Sequence, residues 1–277
     1  MDQLETKRER LLDMLRSFDT CAVAFSAGVD STVLAKAAQL ALGDRAVAVT
    51  GVSASLAEGE LDEARRLAET IGIRHEIIRT QEFANSNYTQ NAPDRCYHCK
   101  SELYTQLEQL APRLGVRVIA NGANADDVSD YRPGNQAAAE HRVRSPLLEC
   151  GINKAEVRQL AIDWGLPIWD KPAMPCLASR VAYGEEVTPE RLAMIDQAER
   201  LLRDRGLRTV RVRYHKGDLA RLEVPAEEVG GLVEPATRQA LVQSLKDLGF
   251  RFVTLDLEGF RSGSLNTLVP LEIRGGV

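Results

Sequence analysis

Four short apolar runs alternate with longer stretches of helical periodicity, and this alternation constrains the fold more than any other feature. The runs are "CAVAF" (21–25), "RAVAVTGVS" (45–53), "IRHEIIRT" (73–80) and "VRVIAN" (116–121). Between them lie "STVLAKAAQLALG", "LAEGELDEARRLAETIG" and "CKSELYTQLEQLAPRLG", each closed by a glycine. Strands joined through helices of ten or more residues are parallel, because a tight turn cannot join parallel strands. Such a sheet needs helices on both faces. The fold class expected is therefore α/β. Ligands of such sheets bind outside the carboxyl ends of the strands, here the segments "SAGVDS" (26–31), "TGVSAS" (50–55) and "NGANADDVSD" (121–130).

Leu4, Leu11, Leu12, Leu15 and Phe18 form one helical stripe before the first strand, and "INKAEVRQLAIDWGLP" (152–167) reads as a further helix. The texture changes at "WDKPAMPCLASRVAYGEE" (169–186), which has two prolines and little periodicity and reads as a functional loop or linker. A helix follows, with Thr188 as its cap and Pro189 in its first turn. Then come the strand-like runs "TVRVRYH", "LARLEV" and "FRFVTLDLEGF", with helical "EPATRQALVQSLKDLG" before the last. The expected division is an α/β domain over 1–180 and a smaller α+β domain over 181–277; the family resemblance given below implies nucleotide binding for the first and substrate binding or oligomerisation for the second.

Forty acidic against 35 basic residues give a net charge of −5, which argues against wholesale nucleic-acid binding. No apolar run approaches the roughly 20 residues a membrane helix needs. The charged, amphipathic start "MDQLETKRERLLDML" lacks the features of a signal peptide. A cytoplasmic location and no membrane partner are expected. Five cysteines without an export signal do not suggest a disulfide framework. Cys21 and Cys150 read as small buried hydrophobes.

The first strand runs into Ser26-Ala27-Gly28-Val29-Asp30-Ser31, and a helix starts there. The first N–H groups of a helix lack internal partners and carry partial positive charge. A turn of small residues lets such amides converge on a phosphate, with Ser26 and Ser31 adding hydroxyls. A plain strand-to-helix turn with a capping Ser or Asp satisfies the same pattern. There is no Gly-Lys-Ser/Thr and no dinucleotide glycine spacing. "PDRCYHCKSEL" places Cys96 and Cys99 at a helix start, where thiols are acidified; a redox pair, half a metal site and chance all remain open. Cys176 lies in the aperiodic loop, four residues before Arg180, which would favour its thiolate if close. Arg211 and Arg213 are two apart on a predicted strand and so share a face. They suit a phosphate or simply a solvated edge strand.

"FSAGVDSTVLAK" resembles the SGGxDS signature of the PP-loop ATP pyrophosphatases, as do the segments "NGANADDVSDYRPG" and "SPLLECGINKAEVRQLAIDWGLP". The resemblance implies an adenine-nucleotide hydrolase-like fold and a loop of Ser26, Ala27, Gly28, Asp30 and Ser31 that holds ATP while a substrate oxygen attacks its α-phosphate. Ala27 stands where the family has glycine. A positive φ there strains alanine by about 1 kcal/mol or somewhat more, and a negative φ costs little. Asp30, Asp127 and Asp130 fall near the same rim, and carboxylates beside phosphates suit Mg²⁺. With "RCYHCK", "DYRPG", "PCLASR", "RVRYH" and "GFRSG", the whole chain is similar to the LarE group of ATP-dependent sulfur transferases. That similarity implies adenylation of a carboxylate of a pyridinium bis-carboxylic acid mononucleotide, then insertion of sulfur, in biosynthesis of the nickel-pincer nucleotide of lactate racemase. It implies Cys176 and Asp30 in catalysis, and a [4Fe–4S] cluster on Cys96, Cys99 and Cys176 in place of a Cys176 that sacrifices its own sulfur. Arg180, Arg211 and Arg213 would bind the substrate, with Arg261 and Glu223 as secondary candidates. A sulfide donor and a homo-oligomer, a hexamer of paired trimers, are also implied. The alternative is a tRNA thiolase of the same superfamily with a three-cysteine cluster. A nucleotide sensor and an ammonia-using synthetase are further alternatives.

Overall fold

A computed structural model describes residues 3–128, 133–172, 174–261 and 265. In chain order the elements are α1 (Gln3–Ser17), β1 (Cys21–Ala24), α2 (Val29–Leu42), β2 (Ala46–Val52), α3 (Glu60–Ile71), β3 (Arg74–Arg79), α4 (Ser86–Thr89), α5 (Arg95–Leu114) and β4 (Val118–Ala120). They continue with α6 (Pro133–Glu140), α7 (Pro146–Glu149), α8 (Lys154–Asp163), α9 (Pro189–Asp204), β5 (Arg211–His215), β6 (Leu219–Glu223), α10 (Val229–Val233), α11 (Pro235–Asp247) and β7 (Phe252–Leu255). The chain forms two compact units. One holds 1–53, 58–82 and 96–174; the other holds 54–57, 83–95 and 175–277.

In the first unit the sheet order is β3-β2-β1-β4, and every pairing is parallel. This is the α/β architecture that the strand–helix alternation requires. Side-chain alternation on the strands divides its core in two. Cys21, Val23, Ala46 and Ala48 face Leu11, Leu15, Val33, Leu34, Val157 and Leu160 of α1, α2 and α8. Ala22, Ala24, Val47 and Val49 face Tyr104, Leu107, Ala137 and Ala138 of α5 and α6. Small residues on β1 let helices approach both faces. Cys21 is wholly buried, and burial pushes its thiol up to about 12. Cys150 is also buried. Both behave as core hydrophobes.

The chain winds from β1 outward to β3, then returns to lay β4 on the other side of β1. The strand order therefore reverses between β1 and β4, and the crevice outside their carboxyl ends is the natural ligand site of such a sheet. Residues 25–28 leave β1 there, and residues 121–128 leave β4. Gly122 brings the two together. A Cβ on Gly122 would lie 2.8 Å from the Ser31 amide nitrogen and 2.9 Å from the Asp30 carbonyl carbon. Only a glycine fits against that backbone.

The second unit contains a sheet of order β5-β6-β7, with β5 antiparallel and β7 parallel to β6. Its helix α9 starts as its sequence indicates: Thr188 accepts a hydrogen bond from the Arg191 amide, and Pro189 occupies the first turn. Val212, Tyr214, Ala220, Leu222, Leu241 and Leu245 are buried.

Among the described residues no helix is long and apolar enough to cross a membrane. Gly122→Ala is expected to cost about 1–3 kcal/mol in urea unfolding, because backbone must yield. Gly51→Ala should cost less, since its Cβ would meet only the side chains of Leu103 and Thr80.

Candidate functional site

The loop after β1 resolves the question that Ala27 poses. Its φ is +56°, so an L-residue occupies the left-handed region, at a cost of roughly 1–2 kcal/mol. The loop is braced against this strain. Ser31 Oγ donates to the Gly28 carbonyl at 3.1 Å and accepts from the Ser26 amide at 3.2 Å. Thr32 Oγ1 and the Thr32 amide both reach the same Gly28 carbonyl. Lys171 Nζ lies 3.4 Å from the Ala27 carbonyl and 2.6 Å from Glu63. Gly28 is the N-cap of α2 in extended conformation, and no side chain caps the helix. The first-turn amides are thus left for a ligand, at the end of the helix that favours an anion. Ser31 serves as a brace, whereas Ser26 is exposed.

Asp30 stands in the first turn of α2, with one oxygen 2.5 Å from Lys154 Nζ and the other 3.1 Å from Asn124 Nδ2. Asn124 belongs to the loop after β4, and Lys154 is the first residue of α8. Asp127 is buried and accepts from the Asn124 amide at 3.0 Å. It closes its own turn, as a capping carboxylate does. Asp130 lies outside the described residues.

In the second unit, Cys176 is exposed and precedes a short 3₁₀ turn, Leu177–Arg180. Arg180 is buried; its guanidinium donates to the carbonyls of Pro175 and Cys176, to Ser179 Oγ and to Glu199 at 3.0 Å. It therefore fixes the backbone that carries the thiol. Glu199 on α9 also holds Arg203 and the Val212 amide. Arg211 and Arg213 are both buried, which replaces the solvated-edge reading. Arg213 pairs with Glu223 at 2.8 Å and donates to the Ser179 carbonyl. Burial first, then the guanidinium of Arg180, push Arg211 down to about 10, with Arg213 and Arg203 adding to the effect and Glu199 opposing it. Arg180 and Arg213 are thus buried in ion pairs with Glu199 and Glu223, and Arg211 lies close enough to Arg180, Glu199 and Arg213 to feel their charges. Glu223 is fully buried in this network. Arg261 is exposed and pairs with Glu258.

The three-cysteine cluster is a correction. Among the described residues no group of three or more His, Cys, Asp or Glu side chains is arranged to hold a metal ion. Cys96 and Cys99 are in the first turn of α5 in the first unit, while Cys176 belongs to the second. A [4Fe–4S] set of Cys96, Cys99 and Cys176 needs three converging thiolates, and that set is not formed. Asp127 keeps one carboxylate oxygen on the amide of its own turn.

Sequence reasoning missed Gly122, Asn124, Lys154, Lys171 and Glu199. For Lys154 a signal existed. A lysine at the first position of a helix opposes the helix dipole, so its presence in "INKAEV" calls for a nearby anion.

An uncapped helix N-terminus at the reversal point of a parallel sheet defines an α/β protein built to hold a phosphate group. No family model matches the chain. It is 50% identical over 266 residues to an uncharacterized protein of Synechocystis sp., spanning 96% of this chain and 99% of that one. It is 38% identical over 275 residues to pyridinium-3,5-bisthiocarboxylic acid mononucleotide synthase of Lactiplantibacillus plantarum, spanning 99% of each. It is 31% identical over 189 residues to the tRNA-specific 2-thiouridylase MnmA of Xanthobacter autotrophicus, spanning 54% of this chain and 48% of that one. The chain belongs to the sulfur transferases of the PP-loop ATP pyrophosphatase superfamily. It is an enzyme of the adenylating type.

Ala27→Val forces a β-branched side chain into the left-handed region at a buried position and is expected to cost about 2 kcal/mol or more. Ala27→Gly relieves strain but loses a buried methyl of similar worth, so stability should stay within about 1 kcal/mol. Urea midpoints measure both. Glu199→Ala strips the carboxylate from Arg180 and Arg203, and its expected cost is about 3–5 kcal/mol by the same assay.

Proposed function

We propose that this chain adenylates a carboxylate of pyridinium bis-carboxylic acid mononucleotide and replaces the adenylate with sulfur, giving a thiocarboxylate. Its place would be in making the nickel-pincer nucleotide. The observation that carries this reading is the buried guanidinium groups of Arg180, Arg211 and Arg213 beside Glu199 and Glu223. Planar guanidinium groups in a desolvated site bind a phosphate monoester in two-pronged fashion, and a mononucleotide supplies one. The full-length likeness to a synthase whose name specifies the bisthiocarboxylic product supports the substrate.

A carboxylate oxygen is a poor leaving group. Attack of that oxygen on the α-phosphate of ATP expels pyrophosphate and leaves an acyl adenylate, whose AMP departs readily. The loop of Ser26, Ala27, Gly28, Asp30 and Ser31 would hold the polyphosphate with its amides, which is mostly electrostatic positioning. Cys176 is the sulfur nucleophile in this proposal: its thiolate attacks the acyl carbon and AMP leaves. Loss of the Cys176 Cα proton to a base then breaks the Cβ–S bond, so the thiocarboxylate departs and dehydroalanine remains. Arg180 holds the Cys176 carbonyl and so aims the thiol. As a homo-oligomer the protein would offer one such site per chain.

After turnover with ATP and the pyridinium substrate, intact-protein mass spectrometry should show a loss of about 34 Da at Cys176, the H₂S removed by β-elimination. Cys176→Ser should still release pyrophosphate but yield no thiocarboxylate. An unchanged chain mass after several turnovers would overturn Cys176 as donor. Tight, salt-sensitive binding of tRNA would favour the tRNA thiolase instead.

A further inference from the structure

The thiol of Cys176 rides on a short segment, residues 175–182, that side chains hold by its carbonyls. Its 3₁₀ turn, Leu177–Arg180, is only four residues long, and such turns have poor hydrogen-bond geometry of their own. Arg180 ties the carbonyls of Pro175 and Cys176 to Glu199, and Arg213 ties that of Ser179 to Glu223. A third attachment comes from residues 83–95, which the chemistry above leaves without a task. Arg95 is 4% exposed; its guanidinium donates to the Ala178 carbonyl at 2.8 Å and to Asn91 Oδ1 at 2.5 Å. Asn91 is wholly buried, with φ +57°, and donates to the carbonyls of Val181 and Ala182 at 3.3 and 2.8 Å. Immediately after the thiol, the Leu177 amide donates to the Ser55 carbonyl at 2.9 Å. Ser55 Oγ in turn lies 2.5 Å from the Tyr88 hydroxyl.

We propose that Arg95 is a positioning residue for sulfur transfer: it locks the turn that carries Cys176, so that the thiolate meets the acyl carbon. The inference rests on the reading of Cys176 as sulfur donor and names what aims it. Three observations carry it. Arg95 grips the turn two residues from an exposed thiol, from a place 83 residues away in the chain. Arg180, by contrast, belongs to the turn itself. A planar guanidinium that bridges two acceptors fixes direction as well as distance, and here it joins the turn to Asn91. Asn91 in turn holds a left-handed φ at a buried position, a strain that persists only where the surroundings dictate it and that gathers at functional sites. Two links from residues 83–95 thus reach the turn: Arg95 at the Ala178 carbonyl, and Tyr88 through Ser55 at the Leu177 amide. Attack on an acyl carbon depends steeply on placement, and a shift of about 1 Å slows such steps by roughly 100-fold. An acyl adenylate that waits for a misplaced thiolate is lost to water.

The test follows the full chain with ATP and the pyridinium substrate. It measures the rate and KM of pyrophosphate release, the thiocarboxylate formed per pyrophosphate, and hydrogen exchange over residues 175–182. Arg95→Gln is expected to slow sulfur transfer roughly 10- to 100-fold while pyrophosphate release keeps its wild-type rate and KM. The yield of thiocarboxylate per pyrophosphate then falls, and exchange over 175–182 quickens. Arg95→Lys keeps one donor for the Ala178 carbonyl and should recover part of the yield. Arg191→Gln, in the same unit but bonded to the Glu186 carbonyl, should change nothing. An unchanged yield in Arg95→Gln overturns the proposal, as does an equal loss of pyrophosphate release and sulfur transfer, the mark of a structural role alone. If Arg95→Gln fails to fold, Arg95→Lys decides, and a full wild-type yield there overturns the proposal. A wild-type chain that loses about 34 Da at Cys176, with an unchanged yield in Arg95→Gln, keeps the donor reading and overturns this one. If the wild type makes thiocarboxylate at constant mass, Cys176 fails as donor; a lowered yield with faster exchange in Arg95→Gln still shows that Arg95 positions the turn for transfer.

Discussion

The amides at the start of α2 are the demand around which the first unit is arranged. They cannot be satisfied within the helix, no side chain caps them, and they open where the strand order reverses. Nearby features serve that exposed end. Ala27 accepts a left-handed φ to turn the chain into it. Gly122 gives up a side chain so that the loop after β4 can lie on its backbone. Asp30 places a carboxylate within its first turn, and Lys154 and Asn124 come from two other segments to hold that carboxylate. The strain at one residue is offset by hydrogen bonds from Ser31 and Thr32 and by the Lys171 strut.

The second unit solves the opposite problem. It buries cations instead of aligning partial charges. Arg180, Arg211 and Arg213 leave water only because Glu199 and Glu223, almost fully buried themselves, sit among them. A desolvated guanidinium is costly unless paired, and Arg211 bears the cost in its lowered pKa.

The cysteines show how far spacing can mislead. Two thiols three residues apart at a helix start, and a third in an aperiodic loop, have the composition of an iron–sulfur set. Composition says nothing about convergence, and among the described residues no such group of three ligands forms. What remains distinctive about Cys176 is its setting: an exposed thiol on a backbone fastened by a buried arginine.

The alternation of apolar runs and helical patterns already determined a parallel sheet covered on both faces, because that periodicity is local and each strand or helix declares its own buried face. The loop after β1 was legible for the same reason: small residues between a strand and a helix are a local signature. Some elements were not legible. The helix in "LAEGELDEARR" starts at Glu60, after a left-handed Gly59, and α6, α7 and α10 carry too little pattern to announce themselves. The sign of φ at Ala27, the pairing of Lys154 with Asp30 across 124 residues, the close approach of Gly122 and the burial of Arg211 and Arg213 were decided by tertiary structure alone. Each depends on which distant backbone or carboxylate the fold brings alongside, and neither periodicity nor spacing in the chain carries that information.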